Sequence, residues 1–216
     1  MLQKLKDPGS AITHGIAMIL AAFAAAPLLL KAFRGPNQNH ILSLAVFIIS
    51  MILLYSASTL YHSLNLSEKS NLILRKLDHA MIFILIAGSY TPVCVIVIRG
   101  KTGWGLLALI WGIAIIGILL KMFYINCPHW LSSAIYISMG WTCVLAFSPI
   151  VHNLPRPAFF LLFAGGIIYT IGGIIYALKL PLFNSLHKNF GSHEIFHLFV
   201  MGGSLCHYLM AYLYLA

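Results

Sequence analysis

Seven apolar stretches recur along this chain, each near the ~20 residues that an α-helix needs to cross the hydrocarbon core of a bilayer. They cover roughly residues 11–33, 40–62, 78–98, 104–122, 130–150, 157–179 and 193–215. Inside hydrocarbon every backbone polar group must find its partner within the protein, which leaves helices and closed barrels as spanning structures. The runs lack the period-2 alternation of membrane strands. The sequence therefore predicts an all-α polytopic membrane protein, a seven-transmembrane helix bundle forming a single domain over residues 1–216.

Composition supports this class and removes others. Only 8% of residues are charged and 61% are hydrophobic, whereas a soluble domain carries roughly 25% charged residues. The net charge of +9 does not indicate nucleic acid, because the 13 Lys and Arg are scattered between apolar runs and do not line one face. Cys94, Cys127, Cys143 and Cys206 form no C-x-x-C pair, so neither a disulfide framework nor a cysteine zinc site is implied. The connections are short and hold turn formers such as Gly35-Pro36-Asn37, Gly100-Lys101-Thr102-Gly103 and Asn153-Leu154-Pro155. The first apolar run follows Lys4 and Lys6 but is longer than the 7–15 residues of a signal sequence, so a retained span is expected.

Loop charges set an expected orientation. With the N-terminus cytoplasmic, the inner side carries Lys4, Lys6, Lys69, Arg75, Lys76, Lys121, Lys179 and Lys188, against Lys31, Arg34, Arg99, Lys101 and Arg156 outside. The same topology puts all four acids (Asp7, Glu68, Asp78, Glu194) on the inner side. It also puts His14, His62, His79, His129, His187, His193 and His197 there, at the depth where spans two, three and seven have their cytoplasmic ends.

Within that layer, "GSHEIFHLFV" contains His193-Glu194-Ile195-Phe196-His197, an H-E-x-x-H match. Four-residue spacing puts both imidazoles on one helical face, which suits one metal ion, although two interfacial histidines give the same pattern. A third ligand is available in "SASTLYHS", where His62 ends span two and Ser58 lies one turn earlier. Asp78, in "RKLDHAMIF", is a carboxylate near membrane depth. Such a group needs a partner, or else caps the start of span three. His79 is about 100° further round the helix and is not expected to face the same point. His207 lies ten residues past His197, about 15 Å deeper, and is expected to hydrogen-bond another helix. Imidazole donors without thiolates favour Zn2+ over iron–sulfur or copper(I). The glycines of "AGGIIYTIGGIIY" predict close helix packing, and Pro27, Pro92 and Pro149 predict bends.

These pieces together resemble the hemolysin III branch of the progestin and adipoQ receptor family, over nearly the whole chain. The carriers are "ITHGIA" in span one, Ser58-Thr59-Leu60-Tyr61-His62 as an S-x-x-x-H motif, Asp78-His79, and "SHEIFHLFV" as an H-x-x-x-H motif. The resemblance implies a zinc site near the cytoplasmic leaflet, with His62, His193 and His197 as ligands, Asp78 holding a water at the metal, and Ser58 in the surrounding shell. It further implies an integral protein of a bacterial inner membrane. Its partners would be membrane lipids and a lipid-like substrate, without nucleic acid; no protein partner is implied.

The function expected on this basis is zinc-dependent hydrolysis of a lipid amide, ceramide-like in type, serving membrane lipid homeostasis. A non-enzymatic, zinc-stabilised sensor or regulator of membrane state is the main alternative. An intramembrane metalloprotease using Glu194 as base would leave His62 and Ser58 unexplained. A haemolytic pore-former finds little support in a conventional polytopic composition.

Overall fold

The computed structural model describes residues 5–35, 38–178 and 190–216. Lys4, Pro36, Asn37, Lys179, His187 and Lys188, which entered the reading of loops and sides, lie outside them. Among the described residues the chain is built of helices: α1 (Pro8–Phe33), α2 (Gln38–Ser63), α3 (Glu68–Pro92), α4 (Gly100–Phe123), α5 (His129–Gly140), α6 (Phe147–Asn153), α7 (Arg156–Leu178) and α8 (Ser192–Met210). Short tight or wide turns extend three of them: Val93–Ile98 after α3, Trp141–Ala146 between α5 and α6, and Ala211–Leu215 after α8. Among the described residues seven helical segments are long and apolar enough to cross a membrane, with α5 and α6 forming one of them.

Local chemistry explains the helix boundaries. Pro8 opens α1, where its missing N–H costs nothing and its fixed φ suits a helix. Ser67 caps α3 by accepting the N–H of Ser70 at 3.3 Å, and Glu68 sits in the first turn, complementing the helix dipole. Arg99 and Gly100 both take positive φ, 56° and 55°, which reverses the chain between α3 and α4. The backbone departs from α-helix directly after Pro92.

Span three differs from its sequence expectation in a way that matters for function. The apolar run begins at residue 78, but the helix begins at Glu68. Lys69, Arg75 and Lys76 interrupt the hydropathy without interrupting the helix, since all three are good helix formers. Asp78 is therefore no N-cap. It lies ten residues into α3 and is buried.

Around the bundle, α1 packs on α2 and α8, α2 on α3, α3 on α4, and α7 on both α5 and α8. The interior is closed by Phe47, Ile48, Tyr55 and Phe83. Leu20, Phe23, Phe33, Ile116, Phe123 and Leu145 point outward, as a lipid-facing surface requires. Glycines allow the tightest approach: a Cβ at Gly172 would lie 2.6 Å from the Cβ of Phe199 on α8. Among the described residues one lysine, Lys121, is buried, and its partners are local. Lys121 Nζ donates to Cys127 Sγ at 2.9 Å and to Ser132 Oγ at 2.6 Å.

Candidate metal centre

His62 comes from the end of α2, and His193 and His197 from the first turns of α8. Each offers a ring nitrogen, and these atoms all lie within 4.8 Å of one another. The Nε2 atoms of His62 and His193 are 3.2 Å apart. Two nitrogens held about 2.0–2.1 Å from one tetrahedral ion are separated by roughly 3.3 Å, so the observed spacing fits joint ligation of a small divalent cation.

Proton bookkeeping on the other side of each ring supports the same reading. Asp7 Oδ2 lies 3.0 Å from His62 Nδ1. A carboxylate accepts, so Nδ1 carries the proton and Nε2 keeps its lone pair. Thr13 Oγ1 lies 3.3 Å from His197 Nδ1. The single hydroxyl proton of Thr13 is directed at the Gly9 and Ser10 carbonyls, at 3.0 and 3.1 Å. Toward the ring Thr13 can therefore only accept, and His197 also keeps an Nε2 lone pair. Orientation of this kind, one nitrogen fixed by an acceptor and the other presented inward, is what ligating histidines ordinarily show.

All these acceptors come from the start of α1. The Asp7 N–H donates to the His62 carbonyl at 2.9 Å. Lys6 Nζ donates to the Tyr61 carbonyl at 3.3 Å and sits 3.6 Å over the Tyr61 ring; partial burial holds its ammonium below its ordinary pKa. Buried His14 stacks on His197, with ring centroids 3.5 Å apart and planes 6° from parallel. Neither His14 nitrogen has a hydrogen-bond partner. Asp7, Ser10, Thr13 and His14 were not singled out as site residues from sequence. Their spacing, with 7, 10 and 14 on one helical face, was the available signal.

Glu194 is occupied elsewhere. One carboxylate oxygen accepts the Ser10 hydroxyl at 2.6 Å, and the other accepts the Gly191 N–H at 2.8 Å. It ties the start of α8 to α1 and belongs to no metal-capable cluster among the described residues.

A cavity of about 500 Å³ opens inside the bundle beside the histidines. His14, Ser58, Asp78, His193 and His197 line its polar end, and side chains such as Ile82, Ile86, Val93 and Leu162 line its length. Ser58 and Asp78 are both buried there, side by side, with Ser58 Oγ outside hydrogen-bonding geometry. His79 reaches the same cavity, contrary to its expected separation from Asp78; its Nδ1 lies 3.7 Å from Asp78 Oδ2 and 2.9 Å from the Arg75 carbonyl. The cavity is broad enough to be lined by neighbouring positions of one helix. His207 lies at the far end, with Nε2 3.3 Å from the Leu162 carbonyl of α7, so the expected interhelical hydrogen bond is present.

Comparison with known proteins adds relatives. Residues 2–208 match the family described as Haemolysin-III related. The chain is 41% identical over 205 residues to Hemolysin-3 of Bacillus cereus, covering 94% of this chain and 90% of that one. It is 38% identical over 199 residues to a Hemolysin-3 homolog of Bacillus subtilis (strain 168), covering 92% and 89%.

Proposed function

This chain belongs to the Haemolysin-III related family, and from that premise we propose that it is a zinc-dependent hydrolase of lipid amides. In this reading it is a multi-pass protein of the bacterial plasma membrane with its N-terminus cytoplasmic, and it serves membrane lipid homeostasis. The observation that carries the reading is a juxtaposition: a three-histidine cluster, a buried carboxylate and a buried hydroxyl meet at the polar end of a long apolar cavity.

His62, His193 and His197 would hold the zinc ion, which would supply Lewis acidity toward water and toward a substrate carbonyl. The chain's own residues do the rest. Asp78 accepts a proton from the attacking water and returns it to the amine nitrogen as the C–N bond breaks. Ser58, buried beside Asp78, turns its hydroxyl toward the reacting groups and helps to orient them. The apolar lining receives the acyl chain and keeps bulk water out. Asp7 and Thr13 hold His62 and His197 in the tautomer that a metal needs.

The test is release of free fatty acid from ceramide-like amides by zinc-loaded protein in nanodiscs, with a known ceramidase as positive control. Release that disappears in Asp78→Ala supports the reading. No release from any lipid amide contradicts it.

A second reading has its own supporting observation, because His62 and His193 join α2 to α8 across 131 positions. A metal there would staple the bundle, as a non-catalytic sensor or regulator requires. That reading expects a folded, zinc-loaded Asp78→Ala variant to keep its biological function.

A further inference from the structure

We infer that Gly140 and Gly166 form a waist without side chains in the cavity, and that this waist sets the length of acyl chain the protein accepts. The inference rests on the lipid reading above and specifies which chains the cavity takes.

One face of α7 lines the cavity along its length, through Leu162, Gly166, Tyr169, Gly173 and Tyr176. Steps of three and four residues keep these positions on one side of a helix, and at about 100° per residue Gly166 falls near the centre of their arc. The outward residues of α7, such as Phe160, Ile171 and Ile174, lie well round the helix from it. A Cβ on Gly166 would therefore point into the cavity, and it would meet nothing within 4 Å. The neighbouring glycines differ. A Cβ on Gly165 would come within 2.6 Å of His207 Nε2, and one on Gly173 within 3.1 Å of Ile137 Cδ1. Those two let helices pack, whereas Gly166 leaves a gap in the cavity wall.

Gly140 does the same on the opposite wall. It ends α5, lines the same cavity, and has nothing within 4 Å of its own Cβ position. Trp141, the next residue, fixes its level against α7. The Trp141 Nε1–H donates to Thr170 Oγ1 at 3.0 Å, and its ring meets Phe163 edge to face with centroids 6.3 Å apart. Phe163 and Thr170 bracket Gly166 on α7. The two missing side chains thus face the cavity at about one depth.

Tyr176 marks the polar end, since its ring centroid lies 5.6 Å from that of His193. Ten residues of α7 separate Tyr176 from Gly166, which is about 15 Å, the length of roughly a dozen extended methylenes. Beyond the waist the cavity continues between Phe147, Ile150 and Phe159. With its carbonyl at the histidines, a chain of about ten carbons ends before the glycines, and one of about eighteen passes between them. A large side chain at either position would occupy that passage.

The experiment is displacement of a dansyl-labelled fatty acid from zinc-loaded, full-length protein in nanodiscs by decanoate and by stearate, with the probe's own affinity measured in each variant and empty nanodiscs subtracted. In Gly166→Leu, stearate should compete more than about tenfold less well than in the parent, because its distal methylenes lose their place. Decanoate should compete within about twofold of the parent. Gly140→Leu, which fills the waist from the other wall, should change the two acids in the same way, and Gly166→Ala should change neither. A stearate-to-decanoate ratio that stays at the parent value in both folded leucine variants, whether the two acids weaken together or not at all, overturns the waist and leaves the lipid reading standing. Failure of every acyl chain to bind the parent overturns the lipid reading, and the waist with it.

Discussion

Asp7 holds His62 twice: its carboxylate lies 3.0 Å from the ring Nδ1, and its backbone N–H donates to the His62 carbonyl at 2.9 Å. A residue just ahead of the first helix thereby fixes both the position and the tautomer of a histidine that ends the second. The start of α1 is thus part of the candidate metal centre.

Replacing Asp7 with Asn removes the charge that favours the Nδ1–H tautomer. Outer partners of ligating histidines are typically worth 10–100-fold in metal affinity. Asp7→Asn should therefore weaken zinc binding by about that factor in a chelator competition. Thr13→Val should weaken it less, because a neutral hydroxyl is the poorer acceptor.

Glu194 separates this account from a protease. Its two oxygens are engaged by Ser10 and by the Gly191 N–H. Glu194→Ala should keep zinc and any amide hydrolysis while melting a few degrees lower, since a helix-start contact is lost. Complete loss of activity with zinc and fold intact would restore Glu194 as a base.

Much of this was legible in the sequence, and the gaps have physical reasons. Seven spans could be counted because each needs its own apolar run, and His193 and His197 could be paired because helical spacing is a local property. His62 is reachable through its depth and through the S-x-x-x-H resemblance, since it is far from His193 and His197 in sequence. Hydropathy leaves two readings of Asp78 open, a cap or a partnered carboxylate, because Lys69, Arg75 and Lys76 hide the first turns of α3; the helix start at Glu68 removes the cap. The roles of Asp7 and Thr13 depend on how α1 docks against α2 and α8, and no periodicity within one helix encodes that. The fate of Glu194 likewise depends on Ser10, 184 positions away.

Two glycines of α7 should behave oppositely. At Gly172 an added Cβ would lie 2.6 Å from Phe199 Cβ, an atom fixed to its own backbone. Gly172→Ala must push α7 from α8 and should cost about 1–3 kcal/mol. At Gly166 an added Cβ meets nothing, so Gly166→Ala should be neutral or up to ~1 kcal/mol stabilising through helix propensity. Thermal melts in one detergent compare them directly.

Cys127 should titrate early. Burial raises its thiol pKa, but hydrogen bonds from Lys121 and Ser132, with the Lys121 charge, outweigh burial and hold it below the ordinary value. A depressed pKa means that the thiolate persists to lower pH. In a variant keeping only this cysteine, the labelling rate with a small thiosulfonate should have its pH midpoint below ~8.5. Lys121→Met should move that midpoint up; an unchanged midpoint would contradict the pairing.

Elemental analysis of the purified protein, alongside His62→Ala, His197→Ala and Asp78→Ala, tests the central claim most directly. The account predicts about one zinc per parent chain, loss of zinc from both histidine variants, and retention in Asp78→Ala. A folded parent that holds no metal after zinc loading, or histidine variants that bind zinc as well as the parent, would contradict it.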